Sequence, residues 1–243
     1  MHRLGQTRGA LRASHLLQTP DTFVRAPLPG MVRASAVVHA GPALGAGFTQ
    51  YSAELEAGGA LGPRHGQRFV YVLEGDLVCG GQPLGPGGYA FAAEGAGESS
   101  GSWTSERGAR LAVIEKPYHS LAGSPAPAAF SGDESAAASK PLLDDPSIQV
   151  RCLLPDAPAF DFAVNVMTYD PGASLPMVEM HVMEHGLLML AGEGIYRLGD
   201  SWYPVAAGDF IWMAPYCPQW FGALGKIPAK YLIYKDWNRH PMA

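Results

Sequence analysis

Two stretches of this 243-residue chain run in parallel, and that likeness limits what the chain can become. Residues 68–91 read RFVYVLEGDLVCGGQPLGPGGYAF, and residues 185–210 read HGLLMLAGEGIYRLGDSWYPVAAGDF. Setting Gly75 against Gly192 brings Leu73 opposite Leu190, and Gly88 meets Gly208 after a gap of three. A repeat this long is a duplicated domain rather than a solenoid unit. Within each copy, short apolar runs (FVYVL, LLML) are followed closely by glycine turns. GIYRLGDSWYPV alternates across an expected hairpin at Gly199–Asp200, a turn-forming pair. With 30 Gly and 21 Pro but only 16% charged residues, the chain favours many short strands over long helices. The expected fold is all-β: two jelly-roll barrels in tandem.

The stretch LAGSPAPAAFSGDESAAASKPLLDDP is rich in Ala, Ser and Pro and lacks apolar periodicity. It reads as a linker over 121–147, between an N-terminal barrel at 25–120 and a C-terminal barrel at 148–243. Residues 1–24 read as a mobile N-terminal arm, without the apolar centre of a secretory signal. A net charge of −5, with no basic cluster interleaved with aromatics, argues against a nucleic-acid partner. No apolar run reaches the length of a membrane span. Cys79, Cys152 and Cys217 are odd in number and form no CxxC pair. They read as buried thiols in a reducing compartment, so the expected location is cytoplasmic.

The chemistry concentrates in EMHVMEHG, residues 179–186. Glu179 and His181 stand two apart, so on a strand they share a face, and His185 joins them if the strand runs on or bends slightly. Gln219, eleven residues after Gly208, offers a fourth donor from another strand. Two imidazole nitrogens, a carboxylate and an amide oxygen suit Mn²⁺, with Fe²⁺, Co²⁺ or Ni²⁺ as competitors. The first copy supplies a contrast: Gly62, Arg64 and Arg68 fall where Glu179, His181 and His185 sit, and Ser99 falls near Gln219. Two cations and a glycine cannot hold a divalent ion, and His65 beside them reads as a surface residue. Asp209 and Asp236 read as turn and surface residues, and Trp202, Trp212, Trp220 and Trp237 as core or interface filler.

The pattern PG…ExHxxxH…G followed by G…P…Q resembles the two short motifs of the cupin superfamily, whose usual set is three His and one Glu. Here Glu179 stands where the first His is common, His185 where the Glu is common, and Gln219 replaces the last His. Together with GIYRLGDSWYPVAAGDFIWMAP and YLIYKDWNRHP, this set is similar to the (S)-ureidoglycine aminohydrolase family, manganese-dependent two-cupin enzymes of purine degradation. The likeness is strong over 148–243 and weaker over about 25–118, through APLPG and LGAGFTQY.

The resemblance implies one Mn²⁺ per chain, held by Glu179, His181, His185 and Gln219 in the C-terminal barrel. It implies hydrolysis of (S)-ureidoglycine to ureidoglycolate and ammonia in a homo-oligomer. Tyr196, Gln219, Tyr231 and Lys235 would contact the substrate, and Lys235 and Glu179 would serve catalysis. Tyr231 and Lys235 are four apart, so they share a strand face. A lysine inside a barrel beside a cation should have a lowered pKa, and could act as base on water or as acid toward the departing amine. Two alternatives remain at this point: another metal-dependent cupin enzyme (a dioxygenase or decarboxylase), or a non-enzymatic small-molecule-binding cupin.

Overall fold

The computed structural model describes residues 7–64, 66–93 and 103–239; His65 and Ser99 lie outside them. The described residues hold twenty strands. These are β1 (Ala10–Leu11), β2 (His15–Gln18), β3 (Val32–Ala40), β4 (Thr49–Ala60), β5 (Gln67–Gly75), β6 (Leu77–Cys79) and β7 (Gln82–Leu84). They continue as β8 (Gly88–Ala92), β9 (Trp103–Ser105), β10 (Ala109–Lys116), β11 (Phe130–Asp133), β12 (Ser139–Leu142), β13 (Asp145–Cys152) and β14 (Phe162–Tyr169). The last six are β15 (His185–Ala191), β16 (Glu193–Leu198), β17 (Ser201–Ala206), β18 (Phe210–Met213), β19 (Gln219–Leu224) and β20 (Ala229–Asp236). Among the described residues, no helix is long and apolar enough to cross a membrane.

The chain divides into two compact units, each built around its own barrel. One unit takes residues 24–137 and 157–161. Its sheet runs β11-β8-β5-β10-β4-β9-β6-β7, with β3 on β4. Its core lies on one face of each strand: Tyr51, Ala53 and Leu55 on β4, Val70 and Val72 on β5, Leu111 and Val113 on β10. That alternation is the period-two pattern of a sheet with one inward face.

The other unit takes residues 1–23, 138–156 and 162–243. It pairs the sheet β1-β2-β18-β15-β20-β14-β13-β12 with the smaller sheet β17-β16-β19. The inward rows are Leu187 and Met189 on β15, Tyr196 and Leu198 on β16, Ile211 and Met213 on β18, Phe221 and Ala223 on β19, and Tyr231 and Ile233 on β20. The hairpin β16–β17 turns at Gly199 and Asp200, as the sequence indicates.

The glycines that align the two copies do equivalent work. Gly75 and Gly192 both adopt the left-handed conformation, with φ of 78° and 71°. A Cβ on Gly75 would strike the carbonyl oxygen of Gly108, and one on Gly192 would meet Ala229 Cα at 2.6 Å. The turn leaving β5 runs against the start of β10, and the turn leaving β15 against the start of β20, where only glycine fits.

Several expectations need correction. Part of the N-terminal arm is strand: β2 pairs with β18 in the register Leu17↔Ile211, and Leu17 is fully buried in the core of the second unit. The expected linker contains β11, which pairs with β8, and β12, which pairs with β13. Its residues are divided between the two units at 137/138. Asp209 is not a surface residue: it is fully buried and held by both terminal nitrogens of Arg8, at 2.6 and 2.9 Å. Cys217 is buried as expected, but Cys152 is exposed. Trp212 is core, whereas Trp202 is largely exposed.

Candidate metal centre

The inward rows of the second unit end in polar residues at one end of the barrel. His185 continues the row of Leu187 and Met189 on β15, and Gln219 that of Phe221 and Ala223 on β19. Lys235 continues the row of Tyr231 and Ile233 on β20. Register locks these ends together, because His185 lies opposite Lys235. Glu179 belongs to no strand, yet it forms a bridge with Gln219 through two backbone hydrogen bonds of 2.8 and 2.9 Å. Directly paired antiparallel residues project to the same face, so the Glu179 carboxylate and the Gln219 amide share a side. The next turn is pinned by Tyr216, whose N–H donates to the His181 carbonyl oxygen at 2.6 Å.

His181 Nε2 lies 3.2 Å from Glu179 Oε2, and the rings of His181 and His185 stand 5.6 Å apart edge to face. His185 is buried and its Nδ1–H donates to the Tyr234 carbonyl oxygen at 3.3 Å. That bond selects the tautomer whose Nε2 carries a free lone pair, the form in which histidine binds metals. Burial, then the nearby His181 and Lys235, push the His185 pKa down to about 3. The ring therefore stays neutral across the physiological range. Tyr196 donates its hydroxyl to Gln219 Oε1 at 3.3 Å, orienting the amide.

Among the described residues, no group of three or more His, Cys, Asp or Glu side chains forms a metal cluster by itself. The arrangement is a donor set with Glu179 and His181 turned on each other. Its chemistry nevertheless fits a divalent ion of borderline or harder character: neutral imidazoles, one carboxylate and an amide oxygen, with no thiolate.

Below the polar ends lies an aromatic floor. Tyr231 is buried and its hydroxyl meets that of Tyr169 at 2.8 Å, while Phe221 packs edge-on against both rings. Burial raises the hydroxyl pKa values of Tyr169, Tyr196 and Tyr231 well above the ordinary phenol value. These tyrosines are neutral hydrogen-bonding groups rather than bases.

Lys235 is half-buried, and burial lowers its pKa, opposed by Cys152, Asp156 and Glu179. Its Nζ rests 3.9 Å from the centre of the Trp237 ring. The structure thus brings Glu179, His181, His185, Gln219 and Tyr196 into one neighbourhood and gives Lys235 a cation–π partner at its edge. Tyr231 sits in the floor with its hydroxyl already engaged.

Tyr169 and Asn165 were not singled out from sequence. Both lie on β14 with the inward parity of Met167, and Asn165 pairs opposite Ile233. The available signal was one polar residue inside the apolar run FAVNVM.

The other barrel shows what the same framework does without these donors. Arg68 lies opposite Glu115, as His185 lies opposite Lys235. Arg68 is buried, donates Nε–H to Glu115 Oε1 at 2.6 Å, and has its guanidinium 5.7 Å from the Trp103 ring centre. Leu61 N–H donates to Trp103 O, so Trp103 takes the position that Gln219 takes beside Glu179. A cavity of about 680 Å³ survives there, lined by Met31, Phe48, Tyr51, Arg68 and Glu115 among others. An internal ion pair stands in place of the ligand set.

Residues 165–234 match the model of the cupin domain. The chain is 38% identical over 247 residues to the (S)-ureidoglycine aminohydrolase of Arabidopsis thaliana, covering 98% of this chain and 80% of the relative. It superposes on the crystal structure of the YlbA protein from E. coli with a TM-score of 0.82 at 28% identity, covering 98% of each chain. Bacillus subtilis oxalate decarboxylase, a structure whose Mn(II) centres have been characterised, gives a TM-score of 0.67 at 12% identity, covering 96% of this chain and 80% of that one. This last likeness concerns the fold alone, a tandem arrangement of cupin barrels.

Proposed function

Because the chain belongs to the (S)-ureidoglycine aminohydrolase family, we propose that it hydrolyses (S)-ureidoglycine to ureidoglycolate and ammonia. The observation that carries the reading is the polar end of the second barrel. There a neutral His185 pairs in register with Lys235, and Glu179 pairs with Gln219. Glu179, His181, His185 and Gln219 would hold a divalent ion, and manganese suits this oxygen-and-nitrogen set. When bound, the ion supplies Lewis-acid polarisation and a substrate anchor.

The reaction replaces one bond at the tetrahedral carbon: the C–N bond to the amine breaks and a C–O bond from water forms. Water loses a proton and the amine gains one. Lys235 has a lowered pKa, so it can take the first proton as the neutral amine or give the second as the ammonium. Glu179, 3.2 Å from His181, fixes that ring and contributes the one carboxylate of the set. Tyr196 holds Gln219, and Tyr231 closes the floor beneath the substrate.

The same reading sets the enzyme in the cytoplasm as a homo-oligomer that acts on a small ureide and binds neither nucleic acid nor membrane. Its free cysteines support a reducing compartment. The test is ammonia release from freshly generated (S)-ureidoglycine, with elemental analysis of the same sample. No release from protein holding one manganese per chain would reject the activity.

A further inference from the structure

Asn165 is 8% exposed on the inward face of β14, in the row of Met167 and Tyr169. Its amide forms no hydrogen bond with any described residue. The amide is not sealed in the core: it is not one of the fully enclosed unpaired polar atoms, so a hydrogen-bonding group can reach it from the barrel end. The neighbouring polar groups are already engaged: Tyr169 with Tyr231, and Tyr196 with Gln219. Asn165 lies opposite Ile233, and its diagonal neighbours on β20 are Tyr231 and Lys235.

The duplicated barrel shows how far this position reaches. There Tyr51 lies opposite Val113, the register position of Asn165 opposite Ile233, and Glu115 takes the place of Lys235. Tyr51 donates its hydroxyl to Glu115 at 3.2 Å. A long side chain at this position therefore reaches, in the first barrel, the residue standing where Lys235 stands in the other. Asparagine is shorter than tyrosine, and no hydrogen bond joins Asn165 to Lys235.

We propose that Asn165 is a specificity residue that reads the ureido end of the substrate. This rests on the activity proposed above. An amide presents donors and one acceptor in a single plane. A ureido N–C=O edge matches both, donating N–H to Oδ1 and accepting from Nδ2. A carboxylate would match only the donors and set its lone pairs against Oδ1. Recognition by paired hydrogen bonds discriminates strongly against analogues that lack the group.

The test uses the full-length, manganese-loaded protein with Asn165→Leu, which keeps the branched shape, and Asn165→Ala. Both should fold with unchanged metal content and melting temperature, because the amide makes no bond within the protein. KM for (S)-ureidoglycine should rise about 10–100-fold with kcat within about threefold. Calorimetry with ureidoglycolate should show a parallel weakening, while glycolate, which lacks the ureido group, should bind as before. Unchanged KM and ureidoglycolate affinity would overturn the assignment. So would equal weakening of both ligands, or loss of metal and melting temperature in both variants. Absence of turnover in the unmutated protein would reject the activity, and the calorimetric pair would still decide the role of Asn165.

Discussion

Leu17→Ala gives the sharpest test of the N-terminal strand. Leu17 is fully buried, pairs with Ile211, and packs in the core that includes Leu187, Met189 and Tyr231. Truncation removes three carbons, about 2.4 kcal/mol at roughly 0.8 kcal/mol per buried methylene. It also leaves a cavity, which brings Leu→Ala costs in cores to about 2–5 kcal/mol. β2 is a short outer strand, held otherwise by the ladder to β18 and by His15 Nε2 at 2.9 Å from the Tyr203 hydroxyl. The surroundings can partly relax, so the expected loss is about 3 kcal/mol. For a chain of this size that corresponds to a melting temperature lower by roughly 6–12 °C. Urea unfolding, read together with amide hydrogen exchange on β18, measures it. Leu11→Ala is the control, since Leu11 is 61% exposed and its replacement should cost no more than about 0.5 kcal/mol. A Leu17→Ala loss below about 1 kcal/mol, with unaltered exchange on β18, would refute the docking of this strand.

Three other outcomes are expected. Lys235→Met should retain metal and fold yet lower kcat about 10²–10⁴-fold; near-unmutated ammonia release would remove Lys235 from proton transfer. His181→Ala should abolish tight metal binding, and elemental analysis of the unmutated protein should find one ion per chain, two being incompatible with the Arg68–Glu115 pair of the other barrel. His39, buried and hydrogen-bonded to Ser52, has its pKa pushed by burial from 6.5 down to about 3. The unfolded chain then takes up the proton first, so this stability is complete above pH 6.5 and is lost as pH falls toward 3. The slope is about 1.4 kcal/mol per pH unit for this group, and His39→Gln should remove it in urea titrations at pH 7 and 4.5.

Much of the second barrel was legible because its signals are local. Alternation in GIYRLGDSWYPV gave the hairpin, and glycines with φ > 0 fixed the repeat. The two-residue spacing of Glu179 and His181 matched their delivery to one neighbourhood, although by an isolated bridge rather than a strand. What escaped depends on distant partners. HLLQ is too short to announce a strand, and it becomes one only by pairing with residues 210–213. FSGD has no apolar alternation and is strand only because β8 accepts it. The position of Trp103 depends on its bond to Leu61, which counting residues from Arg68 could not supply. Asn165 is a single polar residue in an apolar run, and only the register with β20 gives it a site.

The division of the chain between the two units has a consequence for the order in which the molecule is made. β2 leaves the ribosome early, but β18 follows about 190 residues later, so Leu17 waits through most of synthesis without its core. A pairing of such high sequence separation is slow to close. The first barrel also waits, though less long. Asp161, fully buried, accepts from Gln67 Nε2 at 2.7 Å and from Lys116 Nζ at 3.1 Å, so its polar core is complete only once residues 157–161 are translated. Cutting the gene at the apparent linker would strand β2 from β18 and Asp161 from Lys116. A rearranged chain that places β2 directly ahead of the second barrel, and carries 157–161 with the first, should fold faster than the natural order.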